Sequence, residues 1–300
     1  MKYRIAAVQM DVVPEDKEVN IKEALRRYDE AVAEGAKVIC FPEYFLTFPP
    51  HQKMKDKIKD MAETIPGPSI DRFREKAKAT KTYCVAGTII EVREDGKYYN
   101  TSTLIGPDGE IIGKYSKVHP ENAPAKHEPG CGINPGTEYP VFDTELGRFG
   151  IMIDMDLNNP EVPRIYGLKG VDVIFTPICW SGKFVFGIKT LAEASSGYSH
   201  AYMVFANPVG WRKGIPLHSW AFVGQSEVDL VYGGGTGIAF DETMAWVPSF
   251  SSGIAVATID TDNVKKARDN DTTIYPYWRQ PQTYGLLVDP KSNQPYRDGK

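Results

Sequence analysis

Short apolar runs alternate along this chain with stretches whose apolar positions recur three and four apart, the two signatures of buried strands and amphipathic helices. Residues 3–9 form the first run. Ile21, Ala24, Leu25, Tyr28, Ala31 and Val32 then follow helical spacing, and Gly35 stands where a C-terminal cap belongs. Residues 37–41 read as a second strand. Helices are predicted over 54–63 and 69–80, separated by Pro66-Gly67-Pro68. Strands over 82–92 and 98–105 flank the hairpin signal Asp95-Gly96, and another, 111–117, follows Pro107-Asp108-Gly109. The second half repeats the alternation. Strands at 138–143 and 148–153 meet around Gly147, a helix covers 160–168, a buried strand covers 171–176, and a helix over 185–198 leads to a strand at 202–206. Short strands near 219–224, 236–240 and 253–259 and a helix at 262–268 complete the pattern.

Such an alternation predicts an α/β protein whose sheets are covered by helices, and a single domain over 1–270 accommodates it. Residues 271–300 are rich in Pro, Tyr, Gln and Asp without periodicity and read as an extended arm. Residues 117–137, rich in Pro, Gly, His and Asn, read as a long loop.

Composition narrows the classes of function. The chain is 42% apolar and 25% charged with a net charge of −4, and its lysines and arginines are scattered. That gives no electrostatic case for nucleic acid or an anionic membrane. No apolar stretch reaches the length of a membrane span, and the N-terminus reads as a strand, not a signal peptide. Cys40, Cys84, Cys131 and Cys179 have no paired spacing, so a zinc or redox motif is not expected, and buried reduced thiols point to a cytoplasmic protein.

Three separated segments place polar side chains at the ends of apolar runs: Phe41-Pro42-Glu43-Tyr44-Phe45, Lys114 to Pro120 around Lys117, and Gly150 to Glu161 around Asp154. A carboxylate and an ammonium delivered this way can serve as base and oxyanion stabiliser, the chemistry that amide or nitrile hydrolysis needs beside a nucleophile. Taken singly, Glu43 and Lys117 read as solvated surface charges; the constellation changes that reading. Together the segments resemble the nitrilase superfamily of carbon–nitrogen hydrolases, whose site is a glutamate, a lysine and a cysteine. The resemblance covers roughly residues 3–262. It implies a four-layer α-β-β-α sandwich, no cofactor and no metal, a small amide or carbamoyl amine as substrate, and a homodimer or higher homo-oligomer with the arm at an interface. Glu43 and Lys117 match the family's first two residues. A second glutamate, which orients the lysine, falls on Glu128, with Glu121 as the competing candidate. Where the family has its cysteine, this chain has Asp154.

A carboxylate nucleophile would form a mixed anhydride from an amide, a far harder step than forming a thioester, so normal amidase turnover is not expected. Asp154 is expected to pair with Lys117, with Glu43 nearby as a second negative charge. An engineered inactive form of a cysteine enzyme accounts best for an intact Glu43 and Lys117; a natural non-catalytic member that binds a ligand, a nitrilase and a carboxylate-based activity are the alternatives. Asp154 and Asp156 lie two apart, but no further ligand follows at metal spacing. Asp156 is expected to hold the turn by bonding backbone, and His119 and Asn100 to be structural. Met155 and Asp156 after the nucleophile position look more like the amidase and carbamoylase branches than true nitrilases. Leu157 and Asn158 stand where carbamoyl-amino-acid hydrolases have arginines. Trp180 is the expected pocket wall; Phe184, Phe186 and Trp211 are weaker candidates, and Cys179 is a remote alternative nucleophile.

Overall fold

The computed structural model describes residues 1–123, 126–182, 185–216, 227–270 and 279–293. The chain forms two compact units, Met1–Val264 and Lys265–Lys300. In the first, an eight-stranded sheet runs Gly253–Asp260, Lys2–Gln9, Ala36–Cys40, Tyr83–Val85, Tyr98–Ile105, Ile89–Val92, with Ile111–Ser116 and Ile133–Asn134 also paired to Tyr98–Ile105. A six-stranded sheet runs Val141–Thr144, Gly147–Ile151, Val173–Pro177, Tyr202–Ala206, Gly237–Phe240, Glu242–Trp246.

Alternation along single strands builds the layers. In Lys2–Gln9, Ala6 and Val8 pack with Ile21, Ala24, Tyr28 and Ala31 of helix Lys17–Ala33 and with Ile70, Phe73 and Ala77 of helix Pro68–Thr80. Tyr3, Ile5 and Ala7 of the same strand face the second sheet, joining Phe149, Ile151, Val173, Phe175 and Val204. Both faces of the strand are buried, which is why its apolar run is nearly continuous. On the far side of the second sheet, Ile174, Met203 and Phe205 meet Val162 and Tyr166 of helix Glu161–Leu168 and Ile188 and Ala192 of helix Val185–Ser199. The result is helix, sheet, sheet, helix, the four-layer sandwich.

Several elements depart from the sequence reading. The strand expected over 82–92 is broken at Ala86-Gly87-Thr88 into Tyr83–Val85 and Ile89–Val92. Gly87 has φ +43°, and a Cβ there would lie 2.2 Å from the Pro42 carbonyl oxygen, so the chain leaves the sheet beside the segment carrying Glu43. The helix expected over 54–63 is a 3₁₀ turn, Gln52–Lys57, followed by the short helix Ile58–Met61. The loop over 117–137 contains the short paired strands Asn122–Ala123 and Lys126–His127. Val209–Pro216 and Glu227–Gly233 form an antiparallel pair that polar residues conceal in the sequence, while the strand expected at 219–224 lies outside the described residues. In the second unit, Gly285–Val288 is a short helix whose Leu286, Leu287 and Val288 are exposed. Among the described residues, no helix is long and apolar enough to cross a membrane.

Candidate active site

Three strand ends and the segment 117–137 bring five ionisable side chains into one dry cluster. Glu43 follows strand Ala36–Cys40, and its backbone N–H is fixed on the Ile178 carbonyl at 3.2 Å. Lys117 follows strand Ile111–Ser116; its N–H donates to Asn100 O at 2.9 Å and its carbonyl accepts from Gly136 N at 2.8 Å. A Cβ at Gly136 would lie 2.1 Å from Ser116 O, so this close backbone crossing requires the glycine. Asp154 opens a 3₁₀ turn after strand Gly147–Ile151 with φ +50°, a left-handed conformation that costs a non-glycine residue roughly 1–2 kcal/mol. Asp156 holds that turn: its Oδ2 accepts from the Ile153 N–H at 2.8 Å and the Tyr115 hydroxyl at 2.6 Å, and its Oδ1 lies 2.6 Å from His119 Nδ1.

Glu43, Lys117, Glu128 and Asp154 are fully buried. Lys117 Nζ donates to Glu43 Oε1 at 3.0 Å, Glu128 Oε2 at 2.8 Å and Asp154 Oδ2 at 2.8 Å. Glu128 also accepts from the Tyr44 hydroxyl at 2.5 Å and the Asn100 amide at 2.8 Å, and Asn100 reaches Glu43 Oε1 at 2.7 Å. Asn100 thus bridges the two glutamates, beyond the packing role read from sequence. Glu121 is partly exposed; its backbone N–H donates to Glu128 Oε2 at 2.6 Å while its carboxylate reaches Lys126 at 3.6 Å, so Glu128 is the glutamate whose carboxylate lies against Lys117.

Sequence reasoning missed Lys126. Its side chain is buried, its Nζ lies 2.6 Å from Asp154 Oδ2, and it also donates to Glu43 Oε2. One signal was available. Lys126 and Glu128 are two apart at a short strand, the spacing that puts side chains on one face. Asp154 is therefore gripped on Oδ2 by two ammonium groups, while its Oδ1 accepts the Cys179 N–H at 3.2 Å.

Trp180 lies one residue further. Its N–H is held by Asn207 Oδ1 at 2.8 Å, and the residue belongs to the apolar cluster of Met152, Leu157, Ile174 and Ile188. Phe184 lies outside the described residues, and Trp211 is exposed. Burial pushes the Cys179 thiol well up, which leaves it un-ionised and a poor nucleophile.

Two buried ammonium groups face three buried carboxylates, so one carboxylate is short of a countercharge. Burial opposes ionisation of Asp154 and Glu128, but Lys117 and Lys126 prevail and hold both below the usual carboxylate range. Burial also opposes both ammonium groups, and the surrounding carboxylates nonetheless raise them. Glu43 takes the deficit: burial, then the charge of Asp154, pushes it up to about 8. A carboxylate raised in the fold contributes stability that is present below its ordinary range and lost as pH rises through the folded value. Thermal melts should therefore show the wild type losing more stability than Glu43→Gln between about pH 5 and pH 8. Parallel curves for the two proteins would remove this assignment.

Glu43, Lys117, Lys126, Glu128 and Asp154 thus form one buried charge cluster in an α-β-β-α sandwich, with a left-handed backbone turn at Asp154. Residues 4–269 match the carbon-nitrogen hydrolase family, and the chain belongs to it. It is 33% identical over 180 residues to an omega-amidase NIT2-B from Xenopus laevis, covering 59% of this chain and 63% of that protein. It is 32% identical over 179 residues to the omega-amidase NIT2 from Homo sapiens, covering 58% of this chain and again 63% of that protein. The match thus spans less than two thirds of the length of either relative. A carbon-nitrogen hydrolase from Helicobacter pylori superposes with a TM-score of 0.85 at 18% identity, covering 97% of this chain and 99% of that one. Saccharomyces cerevisiae Nit3, a member of the nitrilase superfamily, superposes at 0.74 with 22% identity, covering 93% and 97%. These structures share the fold.

Proposed function

We propose that this chain is an amidase-type member of the family that, with Asp154 in place, does not turn over small amides or carbamoyl amines through a covalent acyl-enzyme. The observation that carries this reading is the double ion pair of Asp154 with Lys117 and Lys126. A carboxylate held by two ammonium groups has its electron density committed and makes a weak nucleophile. The pairing also spends the donors that would serve an oxyanion: the Lys117 ammonium and the Cys179 N–H both rest on Asp154. Glu43, the base of such a site, is capped by Lys126. Lys126 answers the charge of Asp154, which supports an aspartate that belongs to this chain's own architecture over an isolated replacement of a thiol. Assays of the wild type on amides, carbamoyl amines and nitriles should show no turnover and no hydroxamate with hydroxylamine. Measurable hydrolysis by the unmodified protein would overturn the reading.

The alternative, a ligand-binding member of the same family, is favoured by the unpaired arginine described below. For assembly, we infer a homodimer or higher homo-oligomer with the C-terminal arm at an interface, in line with the exposed Leu286, Leu287 and Val288. Light scattering should give a mass above the 33.4 kDa of one chain, and deletion of residues 271–300 should shift it toward monomer while the remainder stays folded. A monomeric full-length chain at micromolar concentration would refute this.

A further inference from the structure

Beside the carboxylate cluster lies a second group that the Glu–Lys–Asp arrangement does not use. Arg212, on strand Val209–Pro216, is only 4% exposed. Its guanidinium lies 4.4 Å from the centre of the Phe48 ring, and Nη2 is 3.9 Å from the Met54 sulfur. Nη1 is buried with no hydrogen-bond partner, and so is Nδ1 of the neighbouring His51. Glu15, the carboxylate whose charge bears on Arg212, is ion-paired with Lys57 at 3.0 Å on the surface. A guanidinium stays charged in a protein interior, and leaving one buried without an anion is costly. Phe48 and a thioether do not neutralise it. Other buried cations of this unit are treated differently: Lys117 and Lys126 each touch more than one carboxylate.

Arg212 is placed against the carboxylate cluster. The Cys179 thiol lies within electrostatic reach of Lys126, Glu43 and Asp154 and also of Arg212, and the Cys179 N–H is bonded to Asp154. Tyr232 likewise feels Arg212, Cys179, Glu121 and Glu43, and its ring packs on Phe48 with centres 4.8 Å apart. Arg212 and His51 thus border the carboxylate cluster across Cys179 and Tyr232, with apolar Phe48 and Met54 beside them. We propose that Arg212 and His51 form an anion-recognition subsite that takes the carboxylate of a small organic acid, whose apolar stem rests on Phe48 and Met54. A planar guanidinium fork matches a carboxylate with two parallel hydrogen bonds, and the His51 ring supplies a third donor when its proton sits on Nδ1. The inference deepens the ligand-binding reading of the site and is independent of whether a thiol at 154 restores turnover.

Calorimetry on the full-length wild type, with Asp154 unchanged, tests this with propionate and butyrate as probes and propionamide and butyramide as uncharged controls. The expected result is saturable binding of the acids, none of the amides at equal concentration, and a loss of about tenfold or more in affinity for Arg212→Met. His51→Ala should weaken the acids by a smaller factor. Should Arg212→Met not fold, Arg212→Lys keeps the charge without the fork and is expected to bind the acids more weakly than the wild type. No saturable binding of either acid to the wild type, equal binding of acids and amides, or unchanged affinity in the folded arginine variant would each overturn the proposal. A failure here would leave the reading of Asp154 untouched, because that reading is tested by turnover and by stability, not by binding of acids.

Discussion

The double variant Asp154→Cys with Lys126→Met should hydrolyse small amides or carbamoyl amines that the wild type leaves intact, and hydroxylamine should divert its acyl-enzyme to a hydroxamate. Two changes are needed, for separate physical reasons. The first supplies a thiol, whose thiolate is a strong nucleophile and a good leaving group; Lys117, 2.8 Å from the carboxylate it would replace, is placed to lower its pKa and then to stabilise the oxyanion. The second frees Glu43. Lys126 donates to Glu43 Oε2, and a base capped by an ammonium neither accepts the thiol proton well nor returns it to the leaving amine. Asp154→Cys alone should therefore be at least about tenfold slower than the double variant, since positioned general acid–base catalysis typically contributes a factor of 10²–10⁴. Adding Glu43→Gln should abolish the hydroxamate. A folded double variant that is silent on amides, carbamoyl amines and nitriles would end the hydrolase reading of this scaffold.

Most of the fold was legible because the sandwich buries both faces of its central strands. Lys2–Gln9, Val173–Pro177 and Tyr202–Ala206 read as mostly apolar runs, and the helices that cover them carry the complementary periodicity. The hairpin Val209–Pro216 with Glu227–Gly233 was not legible, because Trp211-Arg212-Lys213-Gly214 carries neither an apolar run nor an alternation. The site divides along the same line. Glu43, Lys117 and Asp154 stand at the ends of readable strands, so their convergence followed from the topology of the family they resemble. Lys126 stands in a Pro- and Ala-rich segment, and its spacing of two from Glu128 is the one hint in the sequence that the lysine is buried. Asn100, 57 residues from Glu43 and 28 from Glu128, became a bridge only once three chain segments were brought together. Arg212 is the extreme case, a charged residue in a polar strand that the fold carries inward.

Lys126→Met in an otherwise unchanged chain should be strongly destabilising, by about 3–5 kcal/mol, the usual cost of removing one partner of a buried ion pair. Asp154 Oδ2 would keep Lys117, but three buried carboxylates would then share a single ammonium, and the only relief is proton uptake. For a chain of this size such a loss corresponds to a fall in Tm on the order of 10 °C. The effect should be specific to charge. Combining Lys126→Met with Asp154→Asn removes one cation and one anion together, keeps the shape of the 154 side chain and leaves a carbonyl oxygen for Lys117. That double variant should recover most of the lost stability, giving an interaction energy in a double-mutant cycle of about 1–3 kcal/mol. Lys117→Met should cost as much as Lys126→Met and should not be recovered by Asp154→Asn, because Lys117 also answers Glu128, which Lys126 does not pair with. Chemical denaturation of the wild type, the three single variants and the two double variants measures all of these terms. Additive losses in the Lys126 and Asp154 cycle would mean that the two residues are not a matched pair, and with that the argument for an aspartate native to this architecture would lose its physical basis.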